Sequence, residues 1–144
     1  MPADKIHHFV ADASPPPPSS LYSHAVQAAG WLYVTGQLPT DSDAPTAALA
    51  EGVEDQAVVC FENLTRILRH AGYGYEDAVF VRIYLSEFDR DFAAFNAVYT
   101  RYFPQDSVSP PARTTIGVAR LGRAALVEID LVCYRQPRAR EPAP

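Results

Sequence analysis

Two stretches of the chain place apolar residues three and four positions apart, which is the period of an amphipathic helix. The first spans residues 53–71 and is followed by Gly72, a residue type that commonly ends helices in a left-handed conformation. The second begins at Asp89, a typical helix N-cap, and continues to about Phe103, where Pro104 prevents further helix. The sequence therefore predicts two helices, each with one apolar stripe.

Six shorter stretches alternate apolar and polar residues or are rich in β-branched residues, and such patterns predict strands. Ala29 and Gly30 separate the second and third stretches and suit a tight hairpin, and Gly36 is expected to end the third. The last two flank a turn at 121–123 and are expected to pair antiparallel. The predicted strands are 6–10, 22–28, 31–35, 78–85, 110–120 and 125–134.

This order of elements predicts an α+β fold in which two helices cover one face of a single sheet. Val79 and Ile116 are expected on the covered face, among other aliphatic residues. The opposite face would display more apolar surface than a monomer usually leaves in water. We infer a homo-oligomer that buries it; the alternative is a one-sided sheet with scattered exposed aromatics. The uncovered set is Trp31, Tyr33, Phe80, Tyr84, Leu126 and Val132.

Length and charge bound the class of protein. The 144 residues, 48% of them hydrophobic, suffice for one domain with a core at about 6–135 and a flexible tail at 136–144. A net charge of -5 and a pI near 5.2 argue against a nucleic-acid partner. The four consecutive prolines within 14–20 predict a connecting loop, the alternative being a ligand for a proline-binding module.

The two cysteines lie in apolar runs and show no metal or redox spacing. Cys60 and Cys133 are therefore expected to be buried free thiols, which fits a reducing cytoplasm. No apolar run approaches the roughly 18 residues that a membrane span needs, so no membrane partner is expected. The histidines form no metal-ligand pattern.

Candidate chemistry lies on the last two predicted strands. The alternation places Arg113 and Thr115 on one face of the first strand, and Glu128 and Asp130 on the polar face of the second. A guanidinium and a carboxylate side by side form either a solvated charge pair, worth under about 1 kcal/mol, or a site. In the site, Arg113 grips a carboxylate and Glu128 handles a proton or a water. Spacing alone leaves both interpretations open.

Six ordered segments of the chain resemble those of one protein family over most of residues 6–134. The most specific are 111–113, Pro-Ala-Arg, and 127–129, Val-Glu-Ile. The others are 21–26, 33–39, 61–64 with 70–72, and 91–99 with 102–103. The chain resembles the reactive intermediate deaminase (RidA/YjgF) family. The resemblance implies a chorismate-mutase-like α+β fold of the bacillary type, assembled as a homotrimer around a central β-barrel with clefts between neighbouring subunits.

The resemblance also implies hydrolysis of reactive 2-imino or enamine acids, such as 2-iminopropionate and 2-iminobutyrate, to the 2-keto acid and ammonia. No metal and no organic cofactor are implied. In that picture Arg113 binds the substrate carboxylate, as a planar fork does better than a lysine. Glu128 positions the attacking water and passes protons, aided by the backbone carbonyl around Thr115.

Four further residues match positions of the family site. Tyr22 and Thr35 would line the cleft. Gly36 and Asn96 match as well, and for these a turn glycine and a helix-surface amide that hold local structure are equally good interpretations.

The chain departs from the family pattern in ways that bear on substrate range. Thr115 stands where cysteine is common and Thr35 where serine is common, while Ser20-Leu21 replaces a usual Gly-Pro and His24 replaces a usual glutamine. Two alternatives therefore stay open. One is a relative that deaminates a larger enamine such as 2-aminomuconate, and the other is a non-catalytic trimer that binds small carboxylates in a regulatory or chaperone-like role.

Overall fold

A computed structural model describes residues 4–13 and 21–138. The predicted proline-rich loop at 14–20 and the end of the predicted tail at 139–144 lie outside these residues. These residues form six strands and two α-helices, which confirms the α+β class. The elements are β1 (Ile6–His8), β2 (Ala25–Ala28), β3 (Trp31–Gln37), α1 (Val53–Ala71), β4 (Ala78–Leu85), α2 (Phe88–Tyr102), β5 (Ala112–Gly117) and β6 (Val127–Tyr134).

Both helices lie where the apolar period predicts them. α1 has the predicted bounds, and Gly72 ends it at φ 83° with its N–H donating to the last carbonyls of the helix. α2 begins at Phe88, so the prediction that Asp89 caps it is wrong: Glu87 is the N-cap, and it makes no side-chain capping bond. Asp89 lies in the first turn instead, where a carboxylate faces the positive end of the helix dipole.

The six strands form one mixed sheet in the order β1-β2-β3-β6-β4-β5. β6 pairs antiparallel with both β3 and β4, whereas β5 pairs only with β4, in parallel. The predicted antiparallel pairing of the last two strands is therefore wrong. The reason is the helix between β4 and β5, because a strand-helix-strand crossover makes its two strands parallel.

The two helices cover one face of the sheet, as predicted. Val81, Ile83, Ile129 and Leu131 are almost fully buried there. Two residues expected on this face are exposed instead: Val79 at 41% and Ile116 at 43%. Val79 lies at a register shift between β4 and β6, and Ile116 pairs with Tyr84 of the uncovered face.

The uncovered face carries the aromatic surface that the pattern predicts. Tyr33 is 59% exposed and Trp31 39% exposed, and the Trp31 ring packs on Tyr134 at a centroid distance of 4.9 Å. Among the described residues, neither helix combines the length and the apolar character that crossing a bilayer requires. In the single chain, one side of the sheet thus forms the core and the other meets solvent.

Candidate functional site

Arg113 lies on the edge strand β5, on the side that the helices cover. It pairs in register with Val81, and Thr115 pairs with Ile83. Val81 and Ile83 are fully buried beneath the helices. Because residues paired across strands share a face, Arg113 and Thr115 point toward α2.

Four neutral side chains hold the Arg113 guanidinium. Its Nε donates to Thr115 Oγ1 at 2.9 Å, and its Nη2 donates to Asn96 Oδ1 at 2.6 Å. Its Cζ lies 4.3 Å from the centroid of the Tyr99 ring and 5.6 Å from that of Phe95. Stacking on aromatic faces and hydrogen bonds to neutral acceptors fix the plane of the guanidinium without neutralising its charge. We call Arg113, Thr115, Asn96 and Tyr99 the Arg113 group.

The charge of Arg113 faces a cleft. Burial lowers the pKa of the half-buried guanidinium, and the nearby Tyr99 opposes this shift. Within residues 4–13 and 21–138, Arg113 forms no salt bridge with a carboxylate. The hydrogen bonds above use two of its five N–H donors. The cleft has a volume of about 350 Å³ and is lined by Asn96, Tyr99, Thr100, Phe103, Pro104, Gln105, Pro110 and Arg113.

Glu128 lies on the opposite face of the sheet. Its neighbours in β6, Val127 and Ile129, are fully buried against the helices, so Glu128 points to the uncovered side. It pairs in register with Tyr84 of β4. The expectation that Arg113 and Glu128 lie side by side on one face is therefore wrong within a single chain. The error follows from the wrong partner for β5, because the partner decides which face Arg113 shares.

A β-bulge places the carboxylate of Glu128 against backbone. The register between β3 and β6 shifts between Val34 and Gln37, so Thr35 and Gly36 together occupy the space of one residue. β3 continues to Gln37, which corrects the prediction that Gly36 ends the strand. A Cβ at Gly36 would lie 2.7 Å from Oε2 of Glu128. A side chain at position 36 would therefore displace the Glu128 carboxylate from its present position.

A second carboxylate neighbours Glu128 on this face. Asp130 accepts hydrogen bonds from Arg82 Nε at 2.8 Å and from the Tyr84 hydroxyl at 2.9 Å. Burial raises the pKa of Glu128, and the charge of Asp130 raises it further. Glu128 therefore holds a proton more tightly than an exposed glutamate does. We call Glu128, Gly36, Tyr84 and Asp130 the Glu128 group.

Thr35 and Tyr22 belong to the chain segments beside the Glu128 group. Thr35 precedes Gly36 in the bulge, and its hydroxyl donates to the carbonyl of Ser23 at 2.6 Å. Tyr22, next to Ser23 in the chain, is 50% exposed. The backbone of the Tyr22 segment is thus tied to the bulge, and the Tyr22 ring remains accessible.

The structure therefore divides the predicted site residues into two sets. Arg113, Thr115 and Asn96 meet under α2, while Glu128 and Gly36 meet on the other face with Thr35 beside them. Sequence reasoning missed Tyr99, which the apolar stripe of α2 assigned to the core. Its position three residues after Asn96, on the same helix face, was the available signal.

The described residues contain no group of three or more histidine, cysteine, aspartate or glutamate side chains arranged to hold a metal ion. Cys60 and Cys133 are buried and free. Burial raises the pKa of both thiols, which keeps them protonated.

Comparison with known proteins identifies the family. The family model described as Endoribonuclease L-PSP matches residues 13–135. The chain is 38% identical over 120 residues to a RutC family protein of Saccharolobus solfataricus, covering 83% of this chain and 91% of the relative. It is 31% identical over 127 residues to the 2-iminobutanoate/2-iminopropanoate deaminase of Salmonella typhimurium, covering 88% and 97%.

The fold comparison agrees with the sequence comparison. The crystal structure of YyfA from Yersinia pestis, a protein of the conserved Rid family, aligns with a TM-score of 0.82 at 26% identity, covering 92% of this chain and 100% of that one. The resemblance of the motifs, the family model and the fold all lead to one assignment: the chain belongs to the RidA/YjgF family.

Proposed function

We propose that this protein hydrolyses small 2-imino acids, such as 2-iminobutanoate and 2-iminopropanoate, to 2-keto acids and ammonia. The observation that carries the proposal is the state of Arg113: a half-buried guanidinium fixed by neutral partners, without a carboxylate partner in the described chain, beside a cleft. Such a cation binds a small carboxylate strongly, because no internal acid has to be displaced.

Arg113 binds and orients the substrate. Thr115 and Asn96 fix two edges of the guanidinium and Tyr99 fixes its plane, so the remaining donors form a rigid fork. A fork of this kind takes both oxygens of a carboxylate and aligns the attached C=N carbon. In comparable reactions, orientation of the electrophile beside a water lowers the activation barrier by several kcal/mol.

Glu128 handles the water. It takes a proton from the water as oxygen bonds to the imine carbon, and it returns that proton to the nitrogen. Glu128 then takes the hydroxyl proton of the resulting carbinolamine and delivers it to the nitrogen as the C–N bond breaks, so that ammonia leaves and the carbonyl of the keto acid forms. A carboxylate with a raised pKa suits this exchange, because its basicity lies closer to neutral pH. No metal or organic cofactor is needed for these steps.

The complete site requires a second copy of the chain. Arg113 and Glu128 lie on opposite faces of one sheet, so the Arg113 group of one subunit meets the Glu128 group of its neighbour in this proposal. The exposed aromatic face of the sheet supports assembly, since an uncovered surface of that kind is typical of interfaces. We infer a homotrimer with three equivalent clefts, located in the cytoplasm, where two free buried thiols are usual.

The primary test is the release of keto acid from 2-iminobutyrate generated in situ by an amino-acid oxidase. We expect a rate above that of buffer for the purified protein, and loss of the excess rate in Arg113→Ala. A rate equal to that of buffer would contradict the proposed activity. It would favour the non-catalytic alternative, in which the protein binds 2-ketobutyrate without turning over an imine. Parallel assays with 2-aminomuconate test the larger-enamine alternative. RNA is not proposed as a substrate, because the chain carries a net charge of -5.

A subunit-mixing experiment tests the shared site directly. Arg113→Ala and Glu128→Gln proteins are each expected to be inactive, and random mixing of their subunits by unfolding and refolding creates clefts with both native groups. About a quarter of the clefts, and hence about a quarter of native activity, would be restored in a cyclic trimer. Mixtures that stay inactive while forming mixed trimers would contradict a site shared between subunits.

A further inference from the structure

Asp130 has no role in the steps described so far, yet its side chain is held firmly. The residue is 9% exposed, and its two oxygens accept one hydrogen bond each, from Arg82 and from Tyr84. Both partners lie on β4, the strand that pairs with β6. A buried carboxylate with a donor on each oxygen keeps one orientation.

The register places Asp130 close to Glu128. The two residues are two positions apart on the same face of β6, which puts their Cα atoms about 6.7 Å apart. Tyr84 pairs in register with Glu128, and its hydroxyl reaches diagonally to Asp130. Arg82 pairs in register with Asp130, one step further from Glu128. Along the sheet, Asp130 therefore lies nearer to Glu128 than Arg82 does, although Arg82 is the counter-charge of Asp130.

We propose that Asp130, clamped by Tyr84 and Arg82, is a positioning residue that acts through Glu128 and sets how tightly this carboxylate holds a proton. The mechanism is a like-charge interaction across a partly buried face, where effective screening is weaker than in water. The proposal rests on the proposed function only for its catalytic consequence, because Glu128 is the base in that reaction.

Other groups around Glu128 do not supply this effect. From β3 it faces the backbone of Gly36, and from β4 it faces Tyr84. Cys60 of α1 lies on the helix side of the sheet, and burial keeps its thiol neutral. Within one chain, the charged neighbours of Glu128 on the uncovered face of β4 and β6 are Asp130 and Arg82, which carry opposite signs. Arg113 of a neighbouring subunit in the proposed assembly is unchanged in every variant compared.

Opposite signs give opposite predictions for matched variants. Asp130→Asn keeps the volume and removes the charge, so we expect the midpoint of the Glu128 titration to fall by about 0.5–1 pH unit. Arg82→Gln leaves Asp130 without its counter-charge, so the midpoint should rise. Tyr84→Phe keeps both charges and removes one hydrogen bond, so the midpoint should not fall.

The midpoint is measured by carbon NMR of the side-chain carboxyl in protein labelled with ¹³C-glutamate, and Glu128→Gln identifies the resonance. The order Arg82→Gln above native above Asp130→Asn would support the proposal. An unchanged or raised midpoint in Asp130→Asn, or a lowered one in Arg82→Gln, would overturn it. If Asp130→Asn does not fold, the Arg82→Gln midpoint alone decides.

Kinetics supply a readout that a purely structural role would not move. In Asp130→Asn the acid limb of the kcat/KM profile for 2-iminobutyrate should move to lower pH, while the plateau near neutral pH falls about three-fold because the base is weaker. A plateau that falls without movement of the limb would count against Asp130 acting through Glu128. If the native protein does not turn over any imine, the proposed function fails, and the NMR midpoints still decide the coupling.

Discussion

The Arg113 group and the Glu128 group achieve opposite electrostatic states on the two faces of one sheet. The guanidinium of Arg113 is surrounded by a hydroxyl, an amide and aromatic rings, so its charge is fixed in place and has no carboxylate partner in the described part of the chain. The carboxylate of Glu128 is placed beside backbone and a second carboxylate, so its proton affinity is raised. The first environment suits binding of an anion and the second suits transfer of a proton.

The difference shows why the two groups are kept apart within a chain. If Arg113 and Glu128 were neighbours, they would form a salt bridge, which would occupy the fork and lower the pKa of the carboxylate. Both useful properties would be lost together. Opposite faces prevent this pairing within one chain, and in the proposed assembly the cleft between subunits has to hold the two groups a substrate's width apart.

The largest effect is expected when the guanidinium of Arg113 is removed. Arg113→Ala should lower kcat/KM for 2-iminobutyrate by about 10³-fold, because a charge-assisted bidentate contact is lost. Arg113→Lys should recover only part of this, since an ammonium group cannot form the fork. Arg101→Ala, at an exposed position of the same helix as Asn96, is the control. A loss in Arg113→Ala no larger than in this control would contradict the role of Arg113.

Removal of the base should separate binding from turnover. Glu128→Gln is expected to lower kcat by about 10²–10³-fold while calorimetry shows little change in the affinity for 2-ketobutyrate, because the Arg113 group is intact. Glu62→Gln, on the exposed side of α1, is the matched control. A parallel loss of affinity would show that Glu128 also holds the ligand.

A methyl group at position 36 tests the close approach of the Glu128 carboxylate to the backbone of Gly36. Gly36→Ala should lower kcat about 10-fold, because the new Cβ meets Oε2 of Glu128 at 2.7 Å and displaces it. In the Glu128→Gln background the same change should have little further effect on kcat, since the displaced base is already absent. Additive losses in the double variant would place the effect elsewhere in the fold.

An acid at position 96 would erase the contrast between the two groups. Asn96→Asp should pair with Arg113, which it contacts at 2.6 Å, and should weaken the affinity for 2-ketobutyrate about 5-fold. Asn96→Ala, which removes the contact without adding charge, should weaken it less. The reverse order in titration calorimetry would mean that the amide of Asn96 binds the ligand directly.

The smallest expected effect concerns stability. The native state binds the Glu128 proton more tightly than the unfolded chain does, so this group lowers stability as pH rises from the ordinary glutamate range through the raised pKa. Glu128→Gln should therefore raise Tm slightly at about pH 8 and leave it unchanged at about pH 4. A rise at acidic pH alone would reverse the sign and contradict a raised pKa.

The sequence predicted the helices and most strands well, because their signals are local. The stripe of α1 and the glycine after it define both ends without tertiary information. The N-cap of α2 was predicted two residues late, at Asp89 instead of Glu87. The helix thus includes Phe88, whose ring stacks on Phe92 one turn later at 5.0 Å.

The identities of the candidate residues were also accessible, but their arrangement was not. Alternation along β5 shows that Arg113 and Thr115 share a face, and only the strand beside β5 decides which face this is. Sequence neighbourhood favoured β6, whereas the crossover through α2 selects β4. The bulge at Gly36 and the hydrogen bonds to Asp130 likewise depend on pairing between strands distant in sequence.

The central place of β6 in the sheet has a consequence for folding. β6 is the last of the described strands in chain order, yet it joins β3 to β4 and contributes Val127, Ile129, Leu131 and Cys133 to the core. Until β6 has been synthesised, the preceding polypeptide can form its helices and the β2–β3 hairpin but cannot close the sheet. Closure therefore depends on contacts of long sequence separation, which slow folding.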